Sequence, residues 1–256
     1  MESAIDSVNL DEFMHILSAV NQEEHKSRIP SLNYNQSSLY WVFRNMDFKQ
    51  WSSATCSQTL WLSGPPKCSI RRVSSYVVDV EKEKASEVQR YVLYFFCSTA
   101  DTRESIVVSF VHTLLYQVIC YSPPNEKAQI AKTFLCNLLD AILRKQAFDT
   151  KLRVFRGGDC PSAIIKSMLD AGTDGLWRAL GAVLDEHVRE LSMVIDGLDE
   201  VEHQKVEFTN GVRALIAYLQ ERTLKFKALL TSRPEADIKK VLGGLPYIEY
   251  DKERKG

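Results

Sequence analysis

Four short apolar runs constrain the fold of this 256-residue chain more than any other feature. They are Gln58–Ser63 (QTLWLS), Arg90–Cys97 (RYVLYFFC), Leu191–Ile195 (LSMVI) and Ala228–Thr231 (ALLT), with Tyr247–Tyr250 (YIEY) as a candidate fifth. The run RYVLYFFC is continuously aromatic and β-branched, the composition of a strand buried on both faces. Between consecutive runs lies enough chain for a helix, and a parallel pair of strands needs a crossover of that length. Together these features predict an α/β three-layer sandwich: a five-stranded, mostly parallel sheet flanked by helices.

Apolar spacing places the helices. A polar helix is predicted over 69–88, an apolar one over 104–120, and an amphipathic one over 128–142. Gly157-Gly158 marks a loop, and Pro161 suits the first turn of another helix. Further helices are predicted over 174–189, 207–222 and 236–242. At the start, Asn9 and Glu12 form a capping-box pattern, and Phe13, Ile16, Leu17 and Val20 share one face of a helix over 9–20. Residues 22–37 are polar and read as a linker. Residues 38–51 carry Leu39, Trp41, Val42, Phe43, Phe48 and Trp51, an aromatic content that predicts docking onto the domain that follows. The organisation expected is therefore an N-terminal helix and linker over 1–37, the main domain over 38–250 and a charged tail over 251–256.

Composition excludes several classes of function. A net charge of −1 offers no basic excess for nucleic acid. The most apolar stretch, Val107 to Tyr121, is interrupted by Ser109, His112, Thr113 and Gln117 and is too short for a membrane span of about 20 residues. The first six residues lack the layout of a secretory signal. The six cysteines contain no C-x-x-C pair, and Cys97, Cys120 and Cys136 lie in apolar runs, where a thiol is expected to be reduced and buried. The five histidines lack ligand spacing, and His112 reads as a packing residue. Arg71-Arg72-Val73-Ser74 has the form of a basophilic kinase site, a string short enough to arise by chance. The expectation is a cytoplasmic protein with neither nucleic acid nor membrane as partner.

Three strand ends carry the polar motifs: Gly64-Pro65-Pro66, Asp196-Gly197-Leu198-Asp199-Glu200 and Thr231-Ser232-Arg233-Pro234. In open parallel sheets ligands bind at the carboxyl ends of the strands. Adding Tyr40-Trp41-Val42-Phe43 upstream, Tyr94-Phe95-Phe96-Cys97 and Leu114-Leu115-Tyr116-Gln117, the ordered series resembles the NACHT-like domain of the nephrocystin type, in the STAND class of P-loop NTPases, over residues 38–250. The resemblance implies a P-loop NTPase-like fold and a nucleotide-gated switch using ATP or GTP with magnesium. It also implies roles for individual residues. Asp196 would order magnesium, Asp199 and Glu200 would position or activate water, and Arg233 would sense the terminal phosphate.

The phosphate loop departs from that pattern. A working loop reads G-x-x-x-x-G-K-[ST], its backbone N–H groups cradling phosphate, its Lys reaching the terminal phosphates and its hydroxyl binding magnesium. Here the register is Gly64-Pro65-Pro66-Lys67-Cys68-Ser69-Ile70-Arg71. Ser69 adds a Cβ where φ can be positive. Ile70 removes a charge-assisted contact of about 1.5–3 kcal/mol. Arg71 sets a cation where a hard cation needs oxygen. These changes predict a degenerate domain acting as a signalling or scaffold module, with weak or absent nucleotide binding and with protein partners or intact homologues. Two other readings stay open: an ATPase or GTPase that uses Lys67 or Arg71 in a non-standard loop, and a subunit that completes a composite site with an intact homologue.

Overall fold

The computed structural model describes residues 9–17, 22–30, 40–66, 68–85, 90–98, 105–146 and 173–250. In chain order its elements are α1 (Leu10–Leu17), α2 (Gln22–Ser27), α3 (Tyr40–Arg44), α4 (Met46–Ser53), β1 (Gln58–Ser63), α5 (Ile70–Ala85), β2 (Tyr91–Phe96), α6 (Ile106–Tyr121), α7 (Pro124–Gln146), α8 (Thr173–His187), β3 (Glu190–Asp196), a 3-10 turn (Leu198–Glu200), α9 (Lys205–Gln220), β4 (Lys225–Ser232), α10 (Ala236–Leu242) and β5 (Tyr247–Glu249). Two compact units emerge: residues 21–106 with 188–256, and residues 1–20 with 107–187.

The first unit holds the sheet. Its five strands lie in the order β2-β3-β4-β1-β5, and every pairing is parallel, where the sequence predicts mostly parallel. Alternation of side chains sends Leu60, Leu62, Tyr94, Phe96, Val194, Leu229 and Ile248 to one face. There they pack with Phe48 and Trp51 of α4 and with Ile70, Val73, Val77 and Val78 of α5. The aromatic segment before β1 docks here as expected: the buried Trp51 indole donates to the Ala228 carbonyl at 3.0 Å. Asn45 caps α4 by accepting from the backbone N–H groups of Asp47 and Phe48. Residues 22–27, expected to be irregular, form α2 instead. Its charges find partners on α5, with Lys26 2.5 Å from Asp79 and Lys82 2.6 Å from Glu23.

The second unit is helical. Phe13 of α1 meets Phe134 of α7 with ring centroids 6.4 Å apart, and Phe110 of α6 meets Trp177 of α8 at 5.2 Å. His112 is buried on α6, consistent with a packing residue. Two cysteine expectations fail: Cys97 is buried, but Cys120 and Cys136 are exposed, because they sit at the outward phase of α6 and α7. Gly157-Gly158 and Pro161 lie outside the described residues. Among the described residues, no helix is long and apolar enough to cross a membrane.

A charge cluster lies beneath the sheet's α5 face. Glu81, 1% exposed, accepts from the Ser192 hydroxyl at 2.6 Å and lies 3.1 Å from Lys84, 3.2 Å from Arg90 and 3.3 Å from Lys227. Burial alone raises a carboxyl pKa, but the Ser192 hydrogen bond and the Lys227 and Lys84 charges overcome it and hold Glu81 below its ordinary value. Lys227 is also lowered, chiefly by burial, since one carboxylate does not compensate for its lost hydration. The two shifts have opposite meanings: the cluster favours ionised Glu81 and burdens charged Lys227. Removing Glu81 strands that ammonium in the core. Glu81→Ala is expected to cost about 3–5 kcal/mol in urea denaturation at neutral pH. A carboxyl with a depressed folded pKa stabilises above its unfolded value and loses that contribution as pH falls through the folded value. Ser192→Ala should therefore move acid unfolding to a higher pH.

Candidate functional site

The register brings the three motifs together. Ser63 of β1 pairs with Ser232 of β4, and Ile195 of β3 pairs with Leu230 of β4, so Gly64, Arg233 and Asp196 emerge at the same end of adjacent strands. The ladder continues past the strands, with Gly64 N–H donating to Ser232 carbonyl at 3.3 Å and Gly197 N–H to Thr231 carbonyl at 3.1 Å. The amino end of α5 faces this convergence and delivers Arg71 and Ser74, one helical turn apart.

Asp196 is the centre of the site and is 2% exposed. Its Oδ1 accepts from the hydroxyls of Ser74 at 2.6 Å and Thr231 at 2.7 Å. Its Oδ2 accepts from Arg71 Nε at 2.7 Å. The same guanidinium donates from Nη2 to Glu200 Oε2 at 2.8 Å and to the Cys97 carbonyl at 2.7 Å. Arg71 thus stands between two carboxylates, and the pair holds its proton more firmly than usual against the opposing pull of burial. Glu200 is raised, first by burial and then by Asp196 and Asp199, with Arg71 opposing. Gly197 has φ +76°, and a Cβ there would lie 3.1 Å from Arg71 Nη2. Glycine is what lets the strand end pass beside the guanidinium.

The resemblance assigns magnesium to Asp196, but the donors around it do not fit a hydrated divalent cation. The place beside Oδ2 holds a tethered cation, and Oδ1 is engaged by two hydroxyls. Among the described residues, no group of three or more His, Cys, Asp or Glu side chains is arranged to hold a metal ion.

The loop between β1 and α5 is tightly packed. Cys68 N–H donates to Pro65 carbonyl at 3.3 Å, closing a turn through Pro66. Lys67 lies outside the described residues. A Cβ added to Gly64 would lie 2.6 Å from Ile70 Cδ1, 2.7 Å from Cys68 Sγ and 2.9 Å from Tyr250 Cβ. Ile70, at the position of the expected lysine, is buried in the core cluster with Leu62 and Val73. Ser69, at the expected glycine, has φ +62°, the left-handed region that favours glycine. Burial raises the pKa of Cys68, and burial with the nearby carboxylates raises Cys97 well above the ordinary thiol range. Both thiols stay protonated at neutral pH and are poor nucleophiles.

Asp199 and Arg233 are joined to each other: Asp199 Oδ1 accepts from Arg233 N–H at 2.9 Å, and Oδ2 lies 3.1 Å from Arg233 Nε. Arg233 is nonetheless half exposed. Sequence reasoning missed Ser74 and the Cys97 carbonyl as members of the site and gave Thr231, though part of a strand-end motif, no role in it. The available signal was spacing: Ser74 follows Arg71 by three on a helix, and Thr231 precedes the Arg233 already singled out. Ser74 is fully buried, so the string Arg71–Ser74 presents no accessible acceptor hydroxyl.

This geometry sets the outcome of two substitutions. Ser69→Gly should stabilise the chain by up to about 1 kcal/mol, read by urea denaturation, because it relieves a left-handed Cβ at some entropic cost. Arg71→Ala should destabilise it by about 3–5 kcal/mol, since Asp196 stays buried without a cation. Burial already raises the Glu200 carboxyl against the opposing Arg71 charge; a carboxyl with a raised folded pKa loses stability as pH rises through the carboxylate range, so this deficit should widen over that interval and narrow in acid. Millimolar magnesium should raise the melting temperature of Arg71→Ala while leaving the parent unchanged.

A family model described as Nephrocystin 3, N-terminal, matches residues 37–137. The match runs from the aromatic segment through β1, the loop, α5, β2 and α6 into α7, and stops before β3 and β4. No curated protein matches the chain. Over the matched residues, then, this chain is similar to the nephrocystin 3 N-terminal domain, and it carries an α/β fold with an all-parallel, five-stranded sheet flanked by helices.

Proposed function

We propose that this chain is a NACHT/STAND-type nucleotide-binding fold whose phosphate and metal site has become an internal ion cluster. It would act as a cytoplasmic signalling or scaffold module, through protein partners or intact homologues, with little or no nucleotide hydrolysis. One observation carries the reading: Arg71 donates to Asp196 and Glu200 from the position where the family places a magnesium-binding hydroxyl. A guanidinium is charged at every physiological pH and, unlike a bound ion, cannot dissociate from the chain. A magnesium–nucleotide complex would have to displace it and restore hydration to a buried carboxylate. Ile70 supports the same reading, because its side chain packs in the core instead of supplying a cation at the strand ends.

Titration with ATP and GTP, with and without magnesium, tests this directly. The unmodified chain is expected to show no magnesium-dependent affinity tighter than about 1 mM. Ser69→Gly, Ile70→Lys and Arg71→Ser together should raise affinity by at least about tenfold, or 1.4 kcal/mol. Ile70→Lys burdens the core, so the pair Ser69→Gly with Arg71→Ser is titrated beside it, and circular dichroism checks that each variant is folded. Micromolar, magnesium-dependent binding by the unmodified chain, with turnover abolished by Asp196→Ala, would establish the NTPase reading instead.

A further inference from the structure

Away from the strand ends, α3, α4 and the middle of α5 line a separate cavity of about 510 Å³, among whose walls are Phe43, Phe48, Trp51, Tyr76, Val80 and Lys84. That volume lies in the range of small-molecule sites, which combine apolar walls with a few placed polar groups. Four aromatic side chains stand in the walls and are held by ring contacts. Phe43 meets Phe48 edge-on at 5.4 Å and Tyr76 at 5.2 Å, and Phe48 meets Trp51 at 5.6 Å. Trp51 is fixed further by its bond to the Ala228 carbonyl. The platform is therefore set before any ligand arrives, which lowers the entropic cost of binding.

Charge decides which ligand fits. Glu81 lies in the cavity wall, but its carboxylate already faces Lys84, Arg90 and Lys227 within 3.3 Å and accepts from Ser192. Glu190 engages Arg90 at 3.1 Å and Lys225 at 3.6 Å. The cavity wall itself thus carries one carboxylate, shared among three cations, against two ammonium groups, those of Lys84 and the exposed Lys49. A cationic guest meets repulsion here, whereas an anionic guest finds the half-exposed Lys84 ammonium. We propose that this cavity binds a small aromatic carboxylate, its ring against Phe48, Trp51 and Tyr76 and its carboxylate at Lys84 and Lys49. The site is independent of the strand-end cluster and does not rest on the proposed function.

Isothermal titration of the whole chain with naphthalene-2-carboxylate, and with naphthalen-2-ylmethylammonium as its charge-reversed counterpart, tests the assignment. The carboxylate is expected to bind with Kd below about 1 mM and at least about tenfold tighter than the ammonium. Val80→Phe, which fills the cavity, should abolish binding. Because that variant can disturb folding, the paired surface change Lys49→Gln with Lys84→Gln provides a second test. It should weaken the carboxylate at least about tenfold with an unchanged circular-dichroism spectrum. No heat from the carboxylate, equal affinity for the two probes, or unchanged affinity in the double variant would each overturn the proposal.

Discussion

The contact between the Arg71 guanidinium and the Asp196 carboxylate organises the end of the sheet where any chemistry would take place. A buried carboxylate needs compensation for its lost hydration, and Asp196 receives it entirely from the protein: two hydroxyls on one oxygen and a guanidinium on the other. The guanidinium also crosslinks elements, since α5 supplies it, β3 and the 3-10 turn supply its carboxylates, and the residue after β2 supplies a carbonyl. The network ties these secondary-structure elements to one another. A second set, Asp199 with Arg233, ties the 3-10 turn to the end of β4.

The chain therefore carries two buried charge clusters of different character. At the strand ends, two carboxylates converge on one cation, which offsets half of their charge. Around Glu81, one carboxylate is surrounded by cations, and the surplus positive charge lies beside an aromatic cavity. Buried ion pairs contribute little net stability compared with apolar packing, while breaking them is costly. That asymmetry suits each cluster to fixing geometry more than to adding stability.

Much of the fold was legible from the chain alone because its strands are short, apolar and regularly spaced. Tyr91–Phe96 lies inside the run read as Arg90–Cys97, and Glu190–Asp196 contains the run Leu191–Ile195. The helix at 22–27 was not legible, because QEEHKS has no apolar face and its charges are satisfied by distant residues of α5. Cys120 was misplaced because in a helix as apolar as α6 composition masks which phase points outward, whereas Cys136 was legible, since Phe134, Leu135, Leu138 and Leu139 mark the buried phase of α7 and leave it outside. At the site, Ser69 adopts the left-handed backbone that the resemblance led one to expect at its position. The partners of Arg71 could not be read, since they lie as far as 129 positions along the chain and depend on side-chain reach.

One modest contact has a wider consequence. The Gln22 side-chain oxygen accepts the Phe96 N–H at 2.7 Å, placing α2 along β2, the outermost strand on its side of the sheet. Strand β5 forms the opposite border and is only three residues long. The Phe96 amide is thereby taken by a side chain, and the opposite border is short; exposed sheet borders are where another polypeptide can extend an open sheet. A strand added along β2 would have to give up the Gln22 contact at Phe96, and one added along β5 would have three residues to pair with.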